Sequence, residues 1–434
     1  MAATTAAADA AAARAAALQK LSARSAKRKE DQEALRKKLM LKLYLEGLKT
    51  KLKAKGREST KPEAPATTPQ QSQHSQEELT IRGDGTRDSA RACADVLRRH
   101  GCACLQTSID GAKIERCRVL CETTGLAFCY PVAWMAGCSI LSYTHYPTMS
   151  YDMIDRVRNR VSMYNNDASV ASNPILTFVK LVYYQFFLFV YGFCGAFAKI
   201  VLTNGNWTRT RIENVFWFTS APVVYPPVNL DAFNSGVKKA KKQDIIVSVS
   251  QFRPEKNQKL QIDAFARAHK DLLNAPGIKL LLVGGVRNEG DQKLCDDLKE
   301  HAQKVCEPGS VEFHTNVSFP KLVELVCSAK VSIHTMIDEH FGINLLEFIA
   351  GDCVVVSNRS GGPLTDIIGD DRSKGILCET EEEYATALAK ALPNFDSTEF
   401  ATMRKNATAS LDKFLGDDKF SEIFVDYLTQ LGRF

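Results

Sequence analysis

The sequence predicts an α/β protein with doubly wound parallel sheets, and three features of its second half lead to that prediction. Short apolar or β-branched segments alternate with helical patterns, which is typical of βαβ units. The helical patterns are long enough to serve as right-handed crossovers between parallel strands. The apolar segments are continuous, as expected of strands that are covered on both faces. Sheets of this kind bind ligands at the carboxyl ends of their strands, where the strand order switches.

Five strands and five helices are assigned in this region. The strands are predicted at 245–250, 278–285, 311–314, 331–334 and 354–356. The helices between them are predicted at 259–272, 292–305, 320–328, 342–350 and 363–368. These elements define a Rossmann-like domain over 224–395, and helices are expected over the carboxyl-terminal residues 396–434.

Length and composition limit the possibilities for the whole chain. A chain of 434 residues is too long for one hydrophobic core, so at least two domains are expected. The hydrophobic fraction of 45% and charged fraction of 24% exclude a wholly disordered chain and a polytopic membrane protein. The thirteen cysteines contain no Cys-x-x-Cys pair, which argues against a zinc ribbon or a disulfide framework and favours a reducing compartment.

The net charge of +6 is unevenly distributed. Residues 1–60 carry fifteen Lys and Arg against six Asp and Glu, and they form an Ala-rich and then basic leader. Its basic part is either an amphipathic helix on an anionic membrane surface or a solvated tail. Nucleic-acid binding is not expected, because no aromatic residues interleave with the basic ones. Residues 61–110 are predicted to be a polar linker.

An apolar run interrupts the first half of the chain. Residues 181–198 contain no charge and lie between Lys180 and Lys199. Such a run could span a membrane, lie in its interface or form a buried core helix. Spanning is disfavoured, because the candidate site residues before and after the run must meet in one cleft. The segment 175–199 is therefore predicted to be immersed in part, with burial in the core as the alternative.

Two loops that follow predicted strands carry charged residues suited to a nucleotide sugar. Arg253 and Lys256 follow the first strand and could bind a diphosphate through charge-assisted hydrogen bonds. Glu339 precedes a predicted helix that contains Glu347, and the two carboxylates could bind hydroxyls of a sugar and a ribose. Taken singly, these residues also fit an ordinary charged loop, a capping Glu and a surface Glu.

A third loop is rich in glycine. Gly361 and Gly362 precede Pro363, which suits the first turn of a helix. Successive backbone N–H groups at a helix N-terminus form an anion site. Three such loops at one edge of one sheet predict a site for a phosphorylated ligand.

The longer sequence blocks resemble a known family. EHFGINLLE (339–347) followed by SNRSGGP (357–363) resembles the retaining glycosyltransferases of family 4, which have the two-domain GT-B fold. HYPTMSYDM (145–153) and SQFRPEKN (250–257) extend the similarity to α-1,2-mannosyltransferases of that family. Those enzymes use GDP-mannose and a dolichyl-diphosphate-linked oligosaccharide. The resemblance covers about residues 122–432.

The resemblance implies roles for two residues at the transferred sugar. Glu339 would bind a hydroxyl of mannose. His145 occupies the family's His-x-Pro position, from which the imidazole contacts the sugar from the other domain. These two are the expected catalytic residues.

The resemblance also implies which residues bind the nucleotide. Glu347 would bind the ribose, and Lys256 would neutralise the diphosphate. Arg253 is expected to share that charge, because the family's usual arginine position is occupied by a glutamine here. Gly361 and Gly362 would present backbone N–H groups to phosphate. Neither a metal nor another cofactor is expected.

The implied activity is mannose transfer for asparagine-linked glycosylation, at the cytosolic face of the endoplasmic reticulum membrane. Other mannosyltransferases of the pathway are expected partners. The family's first Rossmann domain opens with a glycine-rich loop, and residues 1–110 contain no counterpart of it. An incomplete acceptor-side domain is therefore expected over 111–223. The alternatives are a catalytically inactive homologue that keeps donor binding, and a transferase with another nucleotide sugar.

Overall fold

The computed structural model describes residues 119–159, 173–217, 219–269, 277–370, 372–414 and 416–431. The predicted leader and linker lie outside these residues. Among the described residues, those within 119–215 and 221–431 belong to one compact unit, and 216, 217, 219 and 220 are assigned to a second one. Both sheets and the candidate site belong to the first of these units.

The first sheet has three described strands, which are parallel and ordered β1-β2-β3. Their bounds are Val119–Glu122 for β1, Ser139–Thr144 for β2 and Ile200–Thr203 for β3. The accompanying helices are α1 (Tyr130–Met135), α2 (Tyr151–Arg158), α3 (Pro174–Gly195) and α4 (Asn206–Val215). The predicted apolar segment is therefore the helix α3, which lies in the crossover between β2 and β3.

The second sheet has six parallel strands, ordered β6-β5-β4-β7-β8-β9. They are β4 (Gln243–Val249), β5 (Lys279–Gly284), β6 (Val311–Thr315), β7 (Ala329–His334), β8 (Val354–Asn358) and β9 (Ile376–Cys378). The five predicted strands are confirmed. The strand β9 was not predicted, because three residues are too few to show a periodic pattern.

Helices cover both faces of this sheet, and further helices follow its last strand. They are α5 (Asp231–Val237), α6 (Gln258–Arg267), α7 (Glu289–Val305), α8 (Phe319–Ser328), α9 (Ile343–Ala350), α10 (Glu381–Ala391), α11 (Thr398–Ala409) and α12 (Asp417–Gln430). The helix predicted over 363–368 is instead a π-helical turn, Pro363–Ile367. Gly361 just before it has a φ of +63°, which interrupts the right-handed geometry that an α-helix would need to begin there.

The packing explains why the strands read as continuous apolar runs. Successive side chains of a strand point to opposite faces of the sheet. Ile246 of β4 therefore joins one core cluster and Val247 joins the cluster on the other face. In β8, Val354 and Val355 divide between the two clusters in the same way. Both faces are covered by helices, so polar alternation is absent from these strands.

The strand order defines where a ligand can bind. From β4 the chain builds outward through β5 and β6, and from β7 it builds in the opposite direction through β8 and β9. The topological switch point therefore lies between β4 and β7, and the loops that follow these two strands border the crevice. The helix α12 returns to the first sheet, where Phe420 and Phe424 pack with Leu141 and Tyr143.

Candidate active site

An ion pair occupies the crevice at the switch point. Lys256 lies in a short 3₁₀ turn after β4, and Glu339 lies in the loop after β7. Lys256 Nζ is 2.6 Å from Glu339 Oε2, and the two side chains are only 20% and 12% exposed. Lys256 Nζ also lies 3.1 Å from the sulfur of Met336. Two residues that the sequence assigned to different parts of the ligand are thus in direct contact.

The surroundings of Glu339 keep its carboxylate ionised. Burial alone would raise the pKa of Glu339, but Lys256, His334 and His340 together hold that pKa well below its ordinary value. His334 Nε2 lies 3.2 Å from Glu339 Oε2, off the direction of a full hydrogen bond. Burial lowers the pKa of His334, so its imidazole is neutral at neutral pH. An ionised, buried carboxylate is a strong acceptor for a sugar hydroxyl.

A network of side-chain and backbone contacts fixes the two loops against each other. The Thr335 hydroxyl lies 3.0 Å from the carbonyl oxygens of both Lys256 and Asn257. Gln261 of α6 donates to the same hydroxyl at 2.9 Å. On the other side, the backbone N–H of Asp338 donates to the hydroxyl of Ser360 at 2.7 Å. Lys256 and Glu339 are therefore held by their own backbones as well as by their charges.

The two glycines pack against the backbone of the Glu339 loop. A Cβ on Gly361 would lie 2.2 Å from the carbonyl oxygen of Glu339, and one on Gly362 would lie 2.4 Å from that of Phe341. The N–H of Gly362 donates to the Glu339 carbonyl at 2.7 Å. The prediction that Gly362 offers its N–H to phosphate therefore needs correction, because that donor is already used within the protein. The glycines are required here for close approach of two backbones.

Glu347 lies in α9, which begins four residues after Glu339. Its side chain makes no hydrogen bond or ion pair with any residue that the structure describes. Burial raises its pKa from an ordinary 4.5 to about 7. A half-buried carboxylate without a donor gains most from a ligand that supplies hydroxyl groups.

The remaining predicted cation stays closer to solvent. Arg253 is 39% exposed, and its Nη1 is 3.8 Å from Oε1 of Glu255. The Arg253 carbonyl accepts from the backbone N–H of Lys256 at 3.0 Å, but the Arg253 guanidinium is not brought into contact with the side chain of Lys256 or Glu339. Its role at the diphosphate stays a prediction.

His145 comes from the first sheet. It directly follows β2, is buried, and packs edge-on against Tyr143 with ring centroids 4.8 Å apart. Its neighbour Tyr146 stacks on His340, which directly follows Glu339. The loops that carry the two expected catalytic residues are therefore in contact.

Two polar side-chain contacts also connect elements of the first sheet's domain with loops that follow strands of the second sheet. Arg156 Nη2 of α2 lies 2.5 Å from Asp338 Oδ2. The buried carboxylate of Asp366 accepts from the backbone N–H of Asn206, at the start of α4, at 2.9 Å. The sequence blocks contained several of these residues but gave no sign of their partners. Among the described residues, no cluster of three or more His, Cys, Asp or Glu side chains is placed to hold a metal ion.

Comparisons with known proteins agree with this geometry. Residues 231–409 match the family described as glycosyl transferases group 1. The fold resembles that of Anabaena Alr3699/HepE in complex with UDP, with a TM-score of 0.55 and 17% identity over 78% of this chain and 82% of that one. A glycosyltransferase from Rickettsia africae has a TM-score of 0.54 and 12% identity, over 82% of this chain and 84% of that one. The chain therefore has the GT-B fold, as predicted.

A second family match lies in the amino-terminal half of the chain. Residues 99–216 match the domain described as the ALG11 mannosyltransferase N-terminus. The chain thus matches two domain families in order, the ALG11 mannosyltransferase N-terminus and the glycosyl transferases group 1.

Curated relatives share one printed name, GDP-Man:Man(3)GlcNAc(2)-PP-Dol alpha-1,2-mannosyltransferase. The one from Homo sapiens is 36% identical over 322 residues, which is 72% of this chain and 65% of that protein. The one from Dictyostelium discoideum is 34% identical over 327 residues, or 72% of this chain and 63% of that protein. The chain thus spans a little under two thirds of the length of these relatives.

Proposed function

We propose that this protein transfers mannose from GDP-mannose to a dolichyl-diphosphate-linked oligosaccharide and forms α-1,2 linkages. The observation that carries the proposal is the ionised Glu339 paired with Lys256 at the switch point, 2.6 Å apart. The names of the relatives from Homo sapiens and Dictyostelium discoideum support the donor and the acceptor. Association with other mannosyltransferases that act on the same acceptor belongs to the proposal through the family resemblance.

Each side chain has a chemical role in this proposal. Glu347 accepts hydrogen bonds from the ribose hydroxyls, which supply the donors that its side chain lacks within the described protein. Lys256 and Arg253 neutralise the diphosphate and stabilise the charge that develops on the leaving GDP. The Lys256 ammonium has three N–H groups, so it can contact a phosphate oxygen while keeping its bond to Glu339. Glu339 accepts a hydrogen bond from a hydroxyl of the mannose.

The reaction proposed here retains the configuration at the anomeric carbon. The acceptor hydroxyl approaches on the face from which GDP departs. The bond between the anomeric carbon and the phosphate oxygen breaks, and a bond to the acceptor oxygen forms. The acceptor proton passes to an oxygen of the departing diphosphate. The positive charge comes from side chains, so the proposal includes no metal and no other cofactor.

The location proposed is the cytosolic face of the endoplasmic reticulum membrane, with α3 partly immersed. One side of α3 is held by protein, since the Tyr191 hydroxyl donates to the Gly125 carbonyl at 2.7 Å. Another side exposes more than half of Phe178, Phe186 and Phe189 to the surroundings. The helix is also long and apolar enough to be a candidate span by composition. Because β2 and β3, before and after α3, pair directly in one sheet, partial immersion fits better than a full crossing.

The donor can be tested by calorimetry on the purified protein. The proposal predicts that GDP-mannose binds and that UDP-glucose at the same concentration does not displace it. Preferential binding of UDP-glucose would contradict the donor assignment and support a transferase with another nucleotide sugar. Binding of GDP-mannose without any transfer to a lipid-linked acceptor would support the inactive homologue.

A further inference from the structure

Each expected sugar-contacting residue is followed in the sequence by a ring that reaches across to the other sheet. Tyr146 follows His145 after β2, and His340 follows Glu339 after β7. The two rings stack on each other with their centroids 4.0 Å apart and their planes at 24°. Because consecutive Cα atoms are about 3.8 Å apart, this stack is one peptide unit away from both residues.

A third ring supports the stack from α4. The Trp207 ring centroid lies 5.2 Å from that of His340 and 6.2 Å from that of Tyr146, and its plane makes angles of 30° and 8° with theirs. The guanidinium carbon of Arg211 lies 4.1 Å from the Trp207 centroid, a cation–π contact. Arg211 Nε in turn donates to Asp152 of α2 at 2.8 Å. The ring stack is therefore anchored in the first sheet by two helices.

The residues on either side of Glu339 both contact elements that accompany the first sheet. On one side, Asp338 pairs with Arg156 at 2.5 Å, and on the other, His340 stacks on Tyr146. The pair of Arg156 and Asp338 is partly exposed, whereas the ring of His340 is largely enclosed. Burial lowers the pKa of His340 to about 4, so the ring stacks as a neutral imidazole at neutral pH. A neutral aromatic ring of similar breadth could therefore replace it.

We propose that Tyr146 and His340 are positioning residues, whose stack sets the spacing between His145 and Glu339 so that both reach the same sugar. This inference rests on the proposed function, because it assigns the transferred sugar to the space between those two residues. The nucleotide is assigned to Lys256, Arg253 and Glu347, all in elements that follow strands of the second sheet. Loss of the stack should therefore disturb the reacting geometry and leave nucleotide binding nearly intact. Misplacement by about 1 Å can reduce turnover by about 10²-fold.

The test uses transfer kinetics of the full chain with GDP-mannose and a lipid-linked acceptor. His340→Ala and Tyr146→Ala should each lower kcat by roughly 10²-fold, with KM for GDP-mannose changed by less than about threefold. His340→Phe should restore kcat to within about fivefold of wild type, because it keeps the aromatic face. The double Ala variant should be no slower than about the slower single one. His314→Ala, on β6 and paired with Glu312, is the matched control and should leave both constants unchanged.

Opposite results would overturn the inference. They are a rise in KM with kcat unchanged, or a His340→Phe variant as slow as His340→Ala. If His340→Ala does not fold, His340→Leu takes its place, because leucine fills the volume without an aromatic face.

Urea unfolding of the same variants gives a reading that does not depend on activity. The destabilisation caused by the double variant should be smaller than the sum of the two single effects, because the singles remove the same contact. Additive effects would refute the stack. The wild-type chain could transfer no mannose while the two substitutions still showed non-additive destabilisation. That result would contradict the proposed function and still support the stack.

Discussion

Glu347→Gln should make the protein more stable above neutral pH and at the same time weaken donor binding. Burial raises the pKa of Glu347 to about 7, which means that the folded protein favours the protonated carboxyl. The stability contributed by that preference is complete below the ordinary pKa of 4.5, and it is lost as the pH rises through about 7. Glutamine keeps the shape and stays neutral, so it avoids the loss.

The size of the effect follows from the same shift. A change from 4.5 to about 7 corresponds to about 3 kcal/mol for a fully shielded group. Glu347 is only half-buried, so solvent screening reduces the expected gain at pH 8 to about 1–2 kcal/mol. For a protein of this size that gain is a rise of roughly 1–2 °C in Tm.

Donor binding should change in the opposite direction. Ribose hydroxyls donate to an ionised carboxylate, and a hydrogen bond to a charged group is worth about 1.5–3 kcal/mol. Glu347→Gln should therefore raise the Kd for GDP-mannose by about 10- to 150-fold. In the wild type, affinity should increase between pH 6 and pH 8, because binding requires Glu347 to lose its proton. Calorimetry in buffers of different ionisation enthalpy should detect that released proton.

Thermal unfolding and calorimetry from pH 5 to pH 8 measure both effects on the same samples. Glu312→Gln is the control, because Lys279 lowers the pKa of Glu312 and its removal should give no gain at pH 8. An unchanged affinity in a folded Glu347→Gln variant would refute the ribose assignment. A Tm that follows the wild-type profile across this pH range would refute the shifted pKa.

Three further predictions concern the crevice, the first sheet and α3. Lys256→Met should abolish GDP-mannose binding measurable by calorimetry. It should also lower Tm, because it leaves the buried Glu339 unpaired and breaking such a pair costs about 3–5 kcal/mol. An unchanged Tm would contradict the ion pair. His145→Ala should reduce mannose transfer by about 10²-fold or more while GDP affinity and Tm persist; a large drop in Tm with activity proportional to folded protein would make it a structural histidine. Replacing the outward phenylalanines of α3 by serine should abolish flotation with anionic vesicles in high salt, and retained flotation would contradict partial immersion. These phenylalanines are Phe178, Phe186 and Phe189.

Much of the fold could be predicted because its signals are local. Continuous apolar strands, turn residues and helical spacing located β4 to β8 and the helices between them. The strand β9 and the π-helical turn at Pro363–Ile367 could not be predicted. A three-residue strand has no period, and the turn depends on how the glycines before it pack on the Glu339 loop.

The candidate site was predictable as a set of residues and not as a set of contacts. Lys256 and Glu339 are 83 residues apart in sequence, and they meet because β4 pairs directly with β7. The strand order, which no local pattern reveals, decides that pairing. Tyr146 and His340 lie within the quoted blocks, but their stacking depends on how the two sheets face each other. The N–H of Gly362 was misassigned because its acceptor, the Glu339 carbonyl, lies in a different loop.

Transfer of radiolabelled mannose by the purified full chain tests the central claim most directly. The substrates are GDP-mannose and a dolichyl-diphosphate-linked oligosaccharide in lipid vesicles. We expect label in the lipid-linked product, its release by a mannosidase specific for α-1,2 linkages, and loss of labelling in the Glu339→Gln variant. A chain that binds GDP-mannose with Glu339 and Lys256 intact but leaves the acceptor unlabelled would contradict the account.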